Sequence, residues 1–548
     1  MKMPAPNQND GKTEAPFFSE ELQPEGVAAQ SRPRALFATA KSESTAGGTI
    51  ILDRAEPYEI AKEFIRRKYF KHGYLGLYYK GEAFWQFNGS HYEELEFDVL
   101  SAEVYGFMNA AKQYYRNNTI PIIVKPDDVA NVMKCIKAGT TVRANLPQPC
   151  WIETEEPSPE LFAFKNCLID VRTGERIDPT PRLWITDAGD YNYEPDAGCP
   201  RWEQFLEEIH PNDLQAQNCL EEQLGLGMTY DMQFEKIALW IGKARAGKST
   251  ILHVQEKLIG PRAFAVFSFN DWMRGEYSRE NLIGKKVIAF PDTRLKSGKF
   301  YGSSYDPGGL DHASVEMLLK ISGRDTTPIG RKYKKAWIGH PTCKVIVISN
   351  DPLNITDPIL LSRLVMVDFQ QSYLNHPDRD DYLRDKLDAE LPGIANRCLT
   401  AYRRLLVQKG FRQPASATRL AQKIAAKINP LVEFMQDYWI KDDKAPGPLA
   451  AEIEHSFEMW CEEHRRIDLL ASYPRNELIK KIKEIDAYRD LRAVKPHGQT
   501  RRYPGIRRRT KDDRRKEEKA ELEAELEAQE TTVPARRLSC CGWGIEVR

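Results

Sequence analysis

The segment Gly242, Lys243, Ala244, Arg245, Ala246, Gly247, Lys248, Ser249, followed by Thr250, sets two glycines, a lysine and a hydroxyl at the spacing G-x-x-x-x-G-K-[ST]. That is the spacing of a loop that wraps nucleotide phosphates. Glycines let backbone N–H groups turn inward on an anion, Lys248 reaches the β and γ phosphates, and the Ser249 hydroxyl helps to hold Mg²⁺. By residue frequency alone the pattern occurs in roughly 2% of chains this long, so its neighbourhood has to decide. Ahead of it IALWI reads as a buried strand. Behind it Ile251, Val254 and Leu258 recur at helical spacing until Gly260-Pro261 ends the run. Strand, glycine loop and helix together set the phosphates on a helix N-terminus, where the partial positive charge of the backbone lies. ATP and Mg²⁺ are the expected cofactors.

Hydrolysis also needs a carboxylate at the end of a neighbouring strand, to hold the metal and orient water. KVIAFPD supplies an apolar strand ending in Asp292, 44 residues beyond Lys248. A second run, CKVIVISN, ends in Asn350, an amide able to contact the γ-phosphate or its attacking water; without the loop it would read as a turn cap. Between these strands Arg331, Lys332, Lys334 and Lys335 surround Tyr333, with Trp337 following. Such a cluster is either a solvated basic turn or a grip on a polyanion.

The elements that must position these residues follow from pattern. From 231 to about 410 the strand-like runs IALWI, KVIAF, CKVIVIS and LVMVDF alternate with the helical runs STILHVQEKLI and SVEMLLKI, the signature of an α/β domain with a mainly parallel sheet. Residues 1–55 read as a disordered leader. Residues 56–230 form a first domain, opening with the amphipathic PYEIAKEFIRRKY. It continues through an aromatic β-meander (LGLYYKGEAFWQFNGSHYEEL), a hairpin about RTGE and a helix after Pro200. KDDKAPGPLA reads as a linker, so the α/β domain spans 231–440. Residues 441–510 then run helix, helix, hairpin, the outline of a winged helix, with Arg501 and Arg502 on the wing. The tail 511–548 is charged and of low complexity.

Composition sets limits. The 548 residues carry 79 basic and 79 acidic side chains, so only local patches can argue for a nucleic-acid partner. No apolar run is long enough to span a bilayer and no secretory signal opens the chain, so the expected location is the cytoplasm, with no membrane partner. The ten cysteines have no zinc spacing, and the adjacent Cys540 and Cys541 read as incidental.

Order, spacing and character of these segments resemble the superfamily 3 helicases, specifically the phage and plasmid primase-helicase family with its poxvirus-type N-terminal helicase-associated domain. The carriers are GKARAGKST, KKVIAFPDTR, EMLLKISGRDTTPIGRKYKKAW, KVIVISNDP and LLSRLVMVDF, with FKNCLIDVRTGE and YEPDAGCPRWEQFL upstream. The resemblance covers about residues 57 to 510. It implies an α/β P-loop NTPase motor with a mainly parallel sheet, an α+β helicase-associated domain before it and a winged helix after it. By the same resemblance Lys248, Asp292, Asn350 and Arg363 are catalytic. Asn350 is the sensor, Arg363 is the finger reaching a neighbour's ATP, and Ser249 and Asp292 hold the metal. Arg331, Lys332, Lys334 and Lys335 lie on a hairpin facing a central channel, with Lys332 and Lys335 the expected phosphate contacts; Arg501 and Arg502 touch DNA from the wing. The family implies a homo-hexamer moving 3′ to 5′ on single-stranded or forked DNA. One departure from the family pattern is that Pro291 and Thr293 flank Asp292 where two adjacent acids are common. Glu316 is a candidate to polarise water instead.

The function this implies is an ATP-dependent DNA helicase for phage, prophage or plasmid replication. Two alternatives stand beside it: an ATP-switched origin-binding initiator without processive unwinding, and a helicase subunit acting with a separate primase or polymerase. An unrelated kinase would keep the phosphate loop but would need neither the basic cluster nor Arg363.

Overall fold

The computed structural model describes residues 50–515, except 72, 117, 144–145, 155, 157, 159, 270–271, 273–276, 292–296, 302–303, 309–311, 351–354, 356, 374–379, 429, 443, 486–487, 496–501 and 514. The chain divides into two compact units. The first takes residues up to Phe84 and Leu95–Ala144; the second takes Trp85–Glu94 and everything from Asn145.

In the first unit three helices, α1 (Pro57–Lys68), α2 (Phe97–Asn109) and α3 (Pro126–Thr140), bury apolar residues at three- and four-residue spacing. These are Ile60, Phe64 on α1, Leu100, Val104, Met108 on α2, and Val129, Val132, Ile136 on α3. Both α1 and α3 open on proline, whose missing N–H costs nothing in a first turn. Between α2 and α3 stands an antiparallel hairpin, β1 (Lys112–Tyr115) with β2 (Asn118–Pro121), which the sequence pattern did not announce.

The second unit holds the three-stranded antiparallel sheet β3 (Leu161–Ala163), β4 (Leu168–Asp170) and β5 (Arg176–Ile177), β4 and β5 joined through the RTGE turn. Helices α4 (Pro200–Ile209) and α5 (Leu214–Gly227) follow. The central sheet is built from β6 (Ile237–Gly242), β7 (Phe264–Val266), β8 (Val287–Phe290), β11 (Lys344–Ser349) and β12 (Leu364–Phe369). Its order is β7-β8-β11-β6-β12 and every pairing is parallel. Helix α6 (Lys248–Ile259) leaves β6 through the glycine loop, and α7 (His312–Ser322) precedes the hairpin β9 (Thr327–Arg331) and β10 (Lys334–Gly339). The short α8 (Pro358–Arg363) feeds β12 directly.

Alternation along β6 sends Ile237, Leu239 and Ile241 to one face and Ala238 and Trp240 to the other. The first set packs with Ile288, Val347, Trp272 and Leu318. The second packs with Phe162, Trp202, Phe205, Leu220 and Leu224, and with Leu399 and Tyr402 from α9 (Leu391–Gln408). A parallel sheet must be covered on both sides, and here one cover is made of residues 162–224. The domain boundary read near 230 therefore falls inside a continuous core.

The amino ends of two sheet strands are anchored by buried lysines. Lys286, just ahead of β8 and fully buried, pairs with Asp187, donates to the Met228 carbonyl at 2.9 Å and lies 4.5 Å from the Tyr230 ring centre. Lys344, the first residue of β11, donates to the Thr229 carbonyl. Burial pushes its pKa down to about 8, partly opposed by Glu160.

At the C-terminal end α10 (Pro430–Tyr438) and β13 (Trp439–Asp442) share one core with α11 (Ala450–Glu463) and α12 (Arg475–Glu484). Leu431, Phe434 and Trp439 pack with Phe457, Trp460 and Ile482. β13 pairs antiparallel with β14 (Gly505–Arg508), and Val494 bridges Arg502. The boundary read at 440/441 thus cuts this core, which starts near Pro430.

Candidate nucleotide and DNA site

The glycine loop sits at the carboxyl edge of the central sheet, between β6 and α6. Gly242 has φ +141°, and a Cβ there would come within 2.0 Å of the Phe369 carbonyl oxygen. Only glycine lets the chain turn so close to the end of β12. That closeness is used, because the Lys243 N–H donates to the same Phe369 carbonyl at 3.1 Å. Gly247, at φ +90°, would press a Cβ to 2.9 Å from Ile209 on α4. The crown of the loop is tied down from the segment after β12. Ser372 donates its hydroxyl to the Ala244 carbonyl at 2.8 Å, and the Tyr373 N–H donates to the Arg245 carbonyl at 3.0 Å.

Lys248, the first residue of α6 and only 5% exposed, sends its ammonium back to the carbonyls of Gly242 and Lys243, the latter at 2.7 Å. The Phe369 ring centre lies 5.9 Å away. Beneath Phe369 packs His210, with ring centres 4.8 Å apart. Burial pushes the His210 pKa down to about 4, so a neutral ring, not a second cation, lies under the loop. Lys243, Ala244, Arg245 and Ser249 are exposed, Thr250 is half-buried and Ala246 is buried. The N-terminus of α6 opens onto this loop, and its third N–H, that of Thr250, donates to the Gly247 carbonyl at 2.9 Å. The donor set fits a polyphosphate with its divalent cation: Gly242 to Thr250 would hold the phosphates and the Ser249 hydroxyl the cation.

The sheet order brings the other strand ends alongside. β11 lies directly between β6 and β8, with Ile241 opposite Ser349 and Phe290 opposite Val347. Asn350, exposed, is therefore the next residue beyond the strand adjoining the loop. Asp292 lies outside the described residues, two positions past the end of β8. Glu316 is on α7, exposed, in an ion pair with Lys320 at 2.6 Å.

Arg363 is at the opposite edge. Leu364, which follows it, pairs with Ile237, the first residue of β6, so five residues of strand, about 17 Å, separate it from the loop of its own chain. Its guanidinium donates to the Leu319 carbonyl at 2.7 Å and to the Ser322 hydroxyl at 2.8 Å at the end of α7, and Glu235 is 3.8 Å away.

The basic cluster forms the tip of β9–β10. Arg331 pairs with Lys334 across a turn of Lys332 and Tyr333. Ile329 is buried and Trp337 half-buried against the core beneath, whereas Lys332, Tyr333, Lys334 and Lys335 are exposed. Arg331 donates to the Lys335 carbonyl at 2.9 Å, which stiffens the tip. The wing differs. Arg502 donates to the Gly447 carbonyl at 3.0 Å, and Arg507 is held by Asp442 and Asp513; Arg501 lies outside the described residues.

Sequence reasoning missed the loop's supports: Phe205, Ile209, His210, Ser372 and Tyr373, which reach the loop from elsewhere in the chain. Phe369 alone carried a signal, as the last apolar residue of LVMVDF. The edge strand β7, three residues long, was missed as well.

Fold and loop together define an α/β protein of P-loop-like architecture. Residues 58–211 match the family described as D5 N terminal like, and residues 240–362 match a family of unknown function, DUF5906. The D5 N terminal like match lies ahead of the central sheet, and the DUF5906 match takes in the glycine loop and the β9–β10 hairpin. Two apo structures of the NrS-1 C-terminal region are similar at 12% identity, with TM-scores of 0.43 and 0.44, each covering 82% of this chain and 99% of the other. Among the described residues, no helix is long and apolar enough to cross a membrane.

Proposed function

We propose that the chain is an ATP-dependent DNA helicase, acting in the cytoplasm as a homo-hexameric ring on single-stranded or forked DNA. The observation that carries this reading is the Lys248 loop lying beside the strand that ends at Asn350, on a sheet whose next strand leads to Asp292. Lys248 offsets phosphate charge, Ser249 and Asp292 hold Mg²⁺, and Asn350 orients the attacking water. Mg²⁺ held there would neutralise charge on the phosphates. Arg363 is too far from its own loop to act there, which supports a role at a neighbour's site, on exchanging its contacts with Leu319 and Ser322. Lys332 and Lys335, at the tip of a stiff exposed hairpin, grip backbone phosphates without reading sequence. A separate primase or polymerase is the expected partner.

Strand displacement on a forked duplex, measured beside ATP hydrolysis and particle mass, tests the reading. Parent protein should unwind only with ATP and Mg²⁺, as a ring. Asp292→Asn should remove both activities. Mixing Arg363→Ala with Lys248→Ala subunits should recover some hydrolysis, because a few interfaces then pair an intact loop with an intact finger. Unwinding without nucleotide, or no recovery at any mixing ratio, would overturn the motor or the trans finger respectively.

A further inference from the structure

The hairpin β1–β2 of the first unit is a two-stranded ribbon with no fully buried residue: the paired Gln113 and Ile120 are half-buried and the others exposed. Tyr114 is 71% exposed and Tyr115 58%. Neighbouring residues of a strand point to opposite faces, so each face of the ribbon shows one phenol ring to solvent. At the turn Arg116 has φ +52°, and its guanidinium lies 5.6 Å from the Tyr115 ring centre. The base of the ribbon is fastened: the Lys112 N–H donates to the Ile50 carbonyl and the Leu52 N–H to the Lys112 carbonyl, both at 2.8 Å. The tip therefore stands out from an anchored root.

Charge says what such a tip suits. The chain as a whole is balanced, yet from Val104 to Pro126 it carries Lys112, Arg116 and Lys125 and no Asp or Glu. A second copy docking symmetrically on the ribbon would set these cations against one another, with no acid in the stretch to answer them. Unpaired nucleic acid answers both features, since its bases stack on tyrosine rings and its phosphates meet the cations. The motor hairpin has the same construction: Tyr333, 94% exposed at φ +62°, with the Lys332 ammonium 5.1 Å from its ring centre.

We propose that β1–β2 is a second contact for single-stranded nucleic acid, in which Tyr114 and Tyr115 stack on bases while Lys112 and Arg116 meet phosphates. It does not depend on the motor reading, since binding of this kind needs no hydrolysis. The test compares the full-length parent with Tyr114→Ala/Tyr115→Ala, using the anisotropy of a fluorescein-labelled oligo-dT without nucleotide. Both are also measured in a Lys332→Ala/Lys335→Ala background, which removes the motor grip. Affinity should fall roughly tenfold or more, and Tyr114→Phe/Tyr115→Phe, which keeps the rings, should restore it. An iodouracil-substituted oligonucleotide should photocrosslink to the peptide holding Tyr114 and Tyr115. Parental affinity in the alanine variant with no crosslink at that peptide overturns the proposal. So does an altered particle mass of that variant without DNA, which would make the ribbon a subunit contact. Lys248→Ala should leave this binding unchanged, so failure of the motor reading and failure of this site are told apart.

Discussion

The two edges of the central sheet treat charge in opposite ways. At the carboxyl edge Lys243, Arg245, Ser249 and Asn350 are exposed, and the loop backbone from Lys243 to Arg245 is pinned by Phe369, Ser372 and Tyr373. At the amino edge Lys286 and Lys344 are buried and fastened to Asp187, Met228 and Thr229, while Arg363 is held by Leu319 and Ser322. One edge offers charge to a ligand; the other uses charge to anchor strands. Residue type cannot separate these uses, because lysines stand in both sets; burial and partners do.

The sharpest way to break this contrast is to remove one lysine from each edge. Lys248→Ala should cut ATP hydrolysis by about a thousandfold, the scale seen when a preorganised charge is lost from a transition state. Its unfolding free energy should stay within about 1 kcal/mol of parent. Lys286→Ala should do the reverse, losing about 3–5 kcal/mol of stability because Asp187 is left as a buried, uncompensated charge. Urea unfolding followed by circular dichroism reads both; a Lys286→Ala protein as stable as parent would mean that the amino-edge pair anchors nothing.

Lys344 sharpens the comparison through pH. Its folded pKa is lowered to about 8 from the ordinary 10.5. Within that window the unfolded chain still holds a proton that the folded chain has released, so stability from this group rises with pH. The unfolding free energy of parent minus that of Lys344→Met should therefore grow by about 1–3 kcal/mol between pH 8 and pH 10. A flat difference would show that the burial cost is met some other way.

The smallest effect separates the two basic hairpins. Removing two phosphate contacts with Lys332→Ala/Lys335→Ala should make the salt dependence of single-strand affinity shallower by about 1.4 in log-log slope. Arg502→Ala should change it less, since that guanidinium is already engaged by Gly447. Equal changes would erase the difference between the β9–β10 tip and Arg502.

What could be read from the sequence follows the same division. The loop, the strand runs IALWI, KVIAF, CKVIVIS and LVMVDF, and the helix opening at Pro200 are local patterns, and each appears where its pattern lies. Strand order is not local. That β11 comes between β6 and β8, setting Asn350 beside the loop, depends on pairings such as Ile237 with Val345 and Val287 with Lys344, far apart in sequence. The supports of the loop, Ile209 and Tyr373, were invisible for the same reason. Lys286 and Lys344 looked like ordinary polar starts of buried strands, and nothing in their spacing revealed the acids and carbonyls that receive them. The ribbon β1–β2 escaped because neither of its strands alternates apolar with polar residues, having no core face to keep.

The cover that residues 162–224 give to one face of the sheet bears on where the chain can be divided. The D5 N terminal like match runs to residue 211, well into segments whose Phe162, Trp202, Phe205 and Leu206 are packed with Trp240, Ile251 and Leu258 of the central sheet and its helix α6. A chimaera joined at 230 would ask a foreign surface to mate with that face, and a fragment starting there would present it bare to water. A cut that leaves this face covered has to fall ahead of Phe162, so these helices and the central sheet should fold as one piece.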